Sequence, residues 1–589
     1  MSHITAFLLD TNENLPFSQK IIKNTIWLFS GQLISRMLRA IIVIYAARVL
    51  GVEGWGAFSY ALGIATFLTI FSDVGMNALI TRESVQSPAM RARYLSTAFW
   101  IKAGLVISIT LITLFLLPKI ATIPSSGSIL AVLLIVFAFD TFRDLGTAIA
   151  RSLQRMELEA MSQIVTNAAI VVASLIMIAI LPTGRSLGIG YAIGSGIGFA
   201  IVFFALRKHL TGMLSSLQIS LILPIIKNAW PFGLLGIMGI IMLNTDIIMI
   251  GWLRNAEDVG YYSVAQKVMQ LLYVIPALLS TSVFPTLAFF ARNNQEKARK
   301  ILEQMIGGVT LLAVPVTILG LVFARHIIVI LFGPTYTPAI VSFEILMLTI
   351  LIVYPSTLLG NAIFAYNQQR KFILFVVVAL IGNIIFNFLL IPRFGIAGSA
   401  IATALTQLIT NILIWRSIKK INNLSLYGIF EGMRSLVERI LILLRSNHYT
   451  KQLTKFLIVG TTSFIIDFGF LNILSSVFQI YSGPKIIILN TASFFIAVTN
   501  SYFFNKKWTF RYTSKTSLKE IFIYFGIYVG GTMLNSGIVF LFTTFVEPPT
   551  TNPQTWLNIA KIIATPISLV WNFLGIKFLV FRKNSRIQT

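Results

Sequence analysis

The stretch SGQLISRMLRAIIVIYAARV, residues 30 to 49, decides how the rest of the chain is read, because it is a membrane helix with two arginines in its middle. Continued as a helix from about Asn24, it sets Arg36 and Arg39 about 15 to 20 Å from either end, too deep for their side chains to reach the interface fully. On insertion scales each mid-bilayer Arg costs about 2.5 to 3.5 kcal/mol and each Leu or Ile returns about 0.3 to 0.6. The flanking Ile, Leu, Val and Ala can therefore carry the pair into the membrane but cannot present it to lipid. Gln32, Arg36, Arg39 and Val43 fall on one helical stripe, so the polar groups are expected to line a bundle interior or wet cavity. A cationic cavity suits an anion. The competing reading is that the arginines pair structurally with Asp73 or Asp140.

Outward from this helix the composition agrees. Of 589 residues 56% are hydrophobic and only 11% charged, which marks an all-α polytopic membrane protein. A net charge of +26 would point to nucleic acid in a soluble protein, but here the Lys and Arg residues fall between hydrophobic segments, mostly in alternate loops, so no nucleic-acid partner is expected. There is no cysteine, and His3, His209, His326 and His448 are scattered, which argues against thiol chemistry and a metal site. Residues 1 to 20 hold a short apolar run followed by Asp10 and Glu13, and do not read as a signal peptide.

Hydrophobic spans predict twelve membrane helices near 24–49, 55–81, 94–117, 127–150, 159–181, 187–206, 226–252, 259–290, 301–324, 337–366, 372–391 and 395–415. One set of alternate loops carries a single Lys or Arg each (Arg48, Lys119, Arg185, Arg254, Arg325, Arg393), while the other set is basic, which puts both ends of this unit in the cytoplasm. The twelve divide into a repeat. Lys23-Asn24 recurs as Lys227-Asn228, and Gly56 to Ala61 as Gly260 to Ala265, both at an offset of 204. Six helices return the chain to its starting side, so the repeats should be parallel lobes, about 20–210 and 220–420, with a substrate path between them.

Residues 421 to 450 are too charged to span. Ile429, Met433, Leu436, Ile440 and Leu444 form one stripe against Glu431, Arg434, Glu438 and Arg439, an amphipathic helix expected on the cytoplasmic face. Residues 451 to 583 then hold four more helices, near 453–478, 484–504, 519–545 and 556–578, about sixteen in all. Here too a repeat is visible, with Val459-Gly460 recurring as Val529-Gly530, and the loop Lys506 to Lys519 is strongly basic, while Lys561 reads as an outer helix margin.

ARVLGVEGWGAFSYA, SDVGMNALITRE, NTDIIMIGWL and DVGYYSVAQK resemble the multidrug/oligosaccharidyl-lipid/polysaccharide exporter (MOP) superfamily, which includes the MATE exporters, and within it the Wzx-like O-antigen and polysaccharide flippases. The resemblance covers about residues 20 to 420 and implies two six-helix lobes that move a polyprenyl-diphosphate-linked sugar from the cytoplasmic to the outer leaflet of the cytoplasmic membrane. KFLIVGTTSFIID and SYFFNKKWTF are similar to the GtrA family of four-helix proteins. That resemblance implies a second module handling the lipid carrier, by flipping it or holding it for a glycosyltransferase partner. Gly575, Ile576 and Leu579 depart from the pattern in the second copy, NFLGIKFLVF.

A flippase must shelter a diphosphate and sugar hydroxyls while the isoprenoid tail stays in lipid. The expected headgroup residues are Gln32, Arg36 and Arg39 with Gln266, Lys267 and Gln270 of the eighth helix, the alternative for Lys267 being a structural pair with Asp246. Asp73, Asp140, Asp246 and Glu344 are candidate intramembrane acids that either couple H+ or Na+ to transport or neutralise a cation. In the GtrA-like module Lys506, Lys507, Trp508 and Arg511 are placed to meet lipid phosphate, with Asp467 in mid-helix beside an Asn cluster. LGIGYAIGSGIGF, from Leu187, lacks the strand and spacing of a nucleotide loop and reads as close helix packing. A cation-coupled drug exporter of the same fold is the runner-up. A membrane glycosyltransferase or polymerase is disfavoured, since no outer loop is large enough to carry catalytic acids.

Overall fold

A computed structural model describes residues 17–207, 216–366, 368–446, 448–504, 508, 518–545 and 553–575. The chain is a multi-pass, all-helical membrane protein among these residues. It divides into two compact units, one built on residues 10–433 and one on residues 434–589.

In the first unit α1 (Phe17–Asp73) breaks at Gly51, whose φ of 68° places it in the left-handed region. Then come α2 (Met76–Gln86), α3 (Arg91–Ile120), α4 (Ser126–Ser152), α5 (Met156–Ile180) and α6 (Gly184–Leu206). After these follow α7 (Ile222–Leu253), α8 (Ala256–Leu272), α9 (Val274–Asn293), α10 (Gln295–Val322), α11 (Ala324–Phe332), α12 (Ala339–Leu348) and α13 (Ile350–Ala365). The last, α14 (Gln369–Asn422), breaks at Gly395, φ 57°.

Three spans expected to be continuous are interrupted. The second stops at Val74–Gly75, with φ of 43° and 85°, the eighth breaks at Tyr273 between α8 and α9, and the tenth bends by 44° at Thr349. Hydropathy averages over a window and does not register a local turn of the backbone. At the first of these breaks the Asp73 carboxylate accepts from the backbone N–H of Asn77 at 3.2 Å, giving the restarted helix a partner for one of its free amides. Lys102 of α3, fully buried, donates to the same carboxylate at 2.8 Å.

The sequence repeat reappears as a contact. A Cβ on Gly56 would stand 1.8 Å from the Ala256 carbonyl oxygen, and one on Gly260 would stand 2.2 Å from that of Val52. Position 52 corresponds to 256 and 56 to 260 at the offset of 204, so each backbone seats in the gap left by the other's missing side chain. The glycine-rich run serves packing: Gly190, Gly194 and Gly198 of α6 lie against Ser174, Ile170 and Thr166 of α5, one turn apart each time.

The amphipathic helix α15 (Leu426–Ser446) begins where Glu303 of α10 accepts from the Ser425 backbone N–H at 3.1 Å. Gly307 lets its backbone approach Ile429 and Met433 closely. Leu426, Tyr427 and Phe430 at its start are exposed. The second unit contains α16 (His448–Phe478), α17 (Lys485–Phe504), α18 (Leu518–Phe545) and α19 (Pro553–Gly575). Its apolar core is formed by Leu471, Ile486, Val539 and Leu557.

Candidate functional site

In the first unit the polar residues converge on a cavity of about 520 Å³, walled by α1, α2, α4 and α5 and closed by Gly233, Gly236 and Ile240 of α7. Arg39 lines it. Its Nε donates to the Asn167 side chain at 3.1 Å, and among the described residues no carboxylate lies within 4 Å of its guanidinium. Arg36, exposed, donates to the backbone oxygen of Gln270 at 3.5 Å, which joins α1 to α8. Gln32 is exposed, whereas Val43 at the end of the same stripe is buried.

Lys267 is half-buried on α8 and has neither a hydrogen bond nor an ion pair among the described residues; Arg39 is near enough to repel both it and Arg36. Like charges near one another are costly unless an anion joins them, and among the described residues none of the three has a carboxylate within 4 Å. Gln266 turns away, buried, and donates to the Leu243 carbonyl at 3.1 Å. The structural alternatives for these cations are not what the molecule does. Asp73 is taken by Lys102 at 2.8 Å and Asp140 by Arg143 at 2.7 Å.

Asp246 pairs with no cation either. It lies buried in the second half, where Tyr262 (2.6 Å), Thr403 (2.7 Å), Asn387 (2.8 Å) and Asn383 (3.3 Å) all donate to its carboxylate. Glu344 is half-buried on α12 with no ion pair among the described residues.

The sequence reading missed the cavity's own ionisable wall. Arg151 and Glu159 form a two-pronged pair at 2.7 and 2.5 Å, and Arg143 is held by Asp140 and by Asp144 at 3.0 Å. Arg151 and Glu159 stand at the facing ends of α4 and α5, whereas Arg143 and Asp144 lie within the predicted span 127–150. Asn167, four residues after Gln163 and eight after Glu159 on α5, was the available signal: three polar groups on one face of an otherwise apolar helix.

In the second unit Asp467 does not stand beside Trp508. It is paired with Lys561 at 2.8 Å, both buried, with Ser493 donating at 2.7 Å and Asn490 accepting from the same ammonium. Lys561 is therefore an interior residue, not an outer margin. A separate, largely apolar groove of about 860 Å³ lies between Ile458, Val459, Thr462, Phe503, Phe504 and Trp508. Lys455 stands over the Trp508 ring, 5.3 Å from its centre. Lys506, Lys507 and Arg511 lie outside the described residues.

Comparison with known protein families matches residues 21–291 to the polysaccharide biosynthesis protein family, 231–392 to MatE and 455–581 to the GtrA/DPMS transmembrane domain. The chain carries polysaccharide biosynthesis protein and MatE domains between residues 21 and 392 and a GtrA-like domain over residues 455–581. Among curated relatives, a probable flippase, AglR, of Haloferax volcanii is 26% identical over 404 residues, 67% of this chain and 82% of its own length. A putative O-antigen transporter of Shigella flexneri is 22% identical, covering 67% of this chain and 96% of its own. The membrane protein YngA of Bacillus subtilis is 30% identical over 131 residues, 22% of this chain and 80% of its own. Among solved structures, the lipid II flippase MurJ in an inward closed conformation superposes with a TM-score of 0.60 at 14% identity, covering 82% of this chain and 99% of that one. An inward-facing MATE-family transporter gives 0.55, also at 14% identity, over 67% of this chain and 98% of that one. These establish a MurJ/MATE-like fold.

Proposed function

We propose that residues 10–433 move a polyprenyl-diphosphate-linked oligosaccharide across the cytoplasmic membrane. In this reading two parallel six-helix lobes, joined at Gly56 and Gly260, alternate around the cavity, with both chain ends in the cytoplasm. The observation that carries it is the trio Arg36, Arg39 and Lys267, brought from α1 and α8, none of which makes an ion pair among the described residues. A lipid-linked diphosphate supplies the missing charge while its tail stays in the bilayer. The drug-exporter reading asks for unpaired acids facing the cavity, and Asp73, Asp144 and Glu159 are each held by a cation.

Asp246 is the residue we assign to coupling. Four neutral donors surround a carboxylate that H+ or Na+ can neutralise, without a resident cation to compete. An Asp246→Asn variant should lose any dependence of transport on a pH or Na+ gradient. In the GtrA-like domain the Lys455–Trp508 mouth of the apolar groove, with the neighbouring Lys506, Lys507 and Arg511, is assigned to the phosphate end of the carrier lipid, for its own passage or for a glycosyltransferase partner.

The test is reconstitution of the full chain in liposomes with a polyprenyl-diphosphate oligosaccharide. Movement should be lost in Arg36→Gln/Arg39→Gln/Lys267→Gln protein that remains folded by circular dichroism. Undiminished movement in that variant would refute the diphosphate grip.

A further inference from the structure

The cavity beside the three free cations has a different chemistry from theirs. A diphosphate only accepts hydrogen bonds, so it is matched by donors alone. A sugar hydroxyl both donates and accepts, so it needs a wall of both kinds. The wall has both. Asp73, Asp144 and Glu159 offer carboxylate oxygens, while Arg143, Arg151 and the amides of α5 offer N–H groups. The side-chain oxygen of Asn77, also in the wall, is shielded from solvent and has no partner.

The wall is also balanced in charge. Among the described residues that line it, Arg39, Arg143 and Arg151 stand against Asp73, Asp144 and Glu159, three cations to three carboxylates. An acidic sugar entering here would lose its hydration and gain no net opposite charge. An uncharged one would exchange water for fixed planar donors and acceptors.

Resting on the flippase reading, we infer that this cavity is a glycan subsite distinct from the Arg36–Lys267 diphosphate site, and that it selects a carried glycan with no net charge, such as hexoses and N-acetylhexosamines. Arg39 marks the boundary, with one nitrogen on Asn167 and its charge toward the other two cations.

The experiment uses the full chain in liposomes with two probes: a polyprenyl diphosphate bearing a neutral trisaccharide, and the same lipid with one hexose replaced by a hexuronic acid. The neutral lipid should cross about tenfold faster, the scale of one uncompensated charge in a partly wet site. Asp144→Asn should leave the fold intact, because the Asp144 side chain is 52% exposed and Arg143 keeps Asp140. It gives the cavity one net positive charge and should narrow the preference by a similar factor. Equal or faster movement of the acidic lipid, or an unchanged ratio in the variant, overturns the selectivity while leaving the flippase reading standing. Movement of neither lipid by folded protein overturns both.

Discussion

The two units bury charge in opposite ways. In residues 434–589, Lys561 and Asp467 are sealed together, with side chains 0% and 7% exposed, and Asn490 and Ser493 meet the remaining valences. In residues 10–433 the ion pairs of Asp73, Asp144 and Glu159 instead border an open cavity, and Arg36, Arg39, Lys267 and Asp246 make no ion pair among the described residues. A closed pair fixes how helices meet. On the proposed function an open charge is one that a ligand is to meet, and that difference would separate scaffold from site.

The comparison can be broken most sharply in the sealed pair. Lys561→Met should cost about 3 to 5 kcal/mol, since it leaves the Asp467 carboxylate buried and uncompensated, and the loss should appear as reduced thermal stability in detergent. Adding Asp467→Leu to that variant should restore most of it. At the open site the expectation reverses: Lys267→Ala should leave stability unchanged or slightly raised, because repulsion from Arg39 is removed. Transport should nonetheless fall about 10- to 100-fold, the worth of a hydrogen bond to a charged group. If Lys267→Ala instead unfolds the protein, the distinction between the two regions fails.

A smaller effect tests packing without charge. Gly198→Val places a Cβ 1.9 Å from the Thr166 hydroxyl and should destabilise by about 1 to 3 kcal/mol in a thermal melt. The smallest concerns the break beside the cavity. Val74, β-branched at φ 43°, is strained, and Val74→Gly should stabilise the bent form by up to about 1 kcal/mol.

Much of the frame was legible because it is written in local chemistry. A 204-residue offset, read only as matching letters, became the Gly56–Gly260 contact, and glycines spaced by four became the α5–α6 seam. The arginines of α1 fall in mid-helix between Phe17 and the break at Gly51, as the hydrophobic run around them implies. What stayed hidden is non-local. Lys102 and Asp73 are 29 residues apart and Lys561 and Asp467 are 94 apart, so nothing in either neighbourhood announced a partner. Arg151 and Glu159 meet across the turn between α4 and α5, and nothing local in the sequence shows that they and Arg143 face one cavity. The breaks at Val74, Tyr273 and Thr349 left no hydropathic trace, since their residues remain apolar or small on average.

The reciprocal seating of Gly56 and Gly260 means that one contact serves both glycines. Whatever wedges it open from one side has already relieved the other, so Gly56→Ala and Gly260→Ala together should cost less than the sum of each alone.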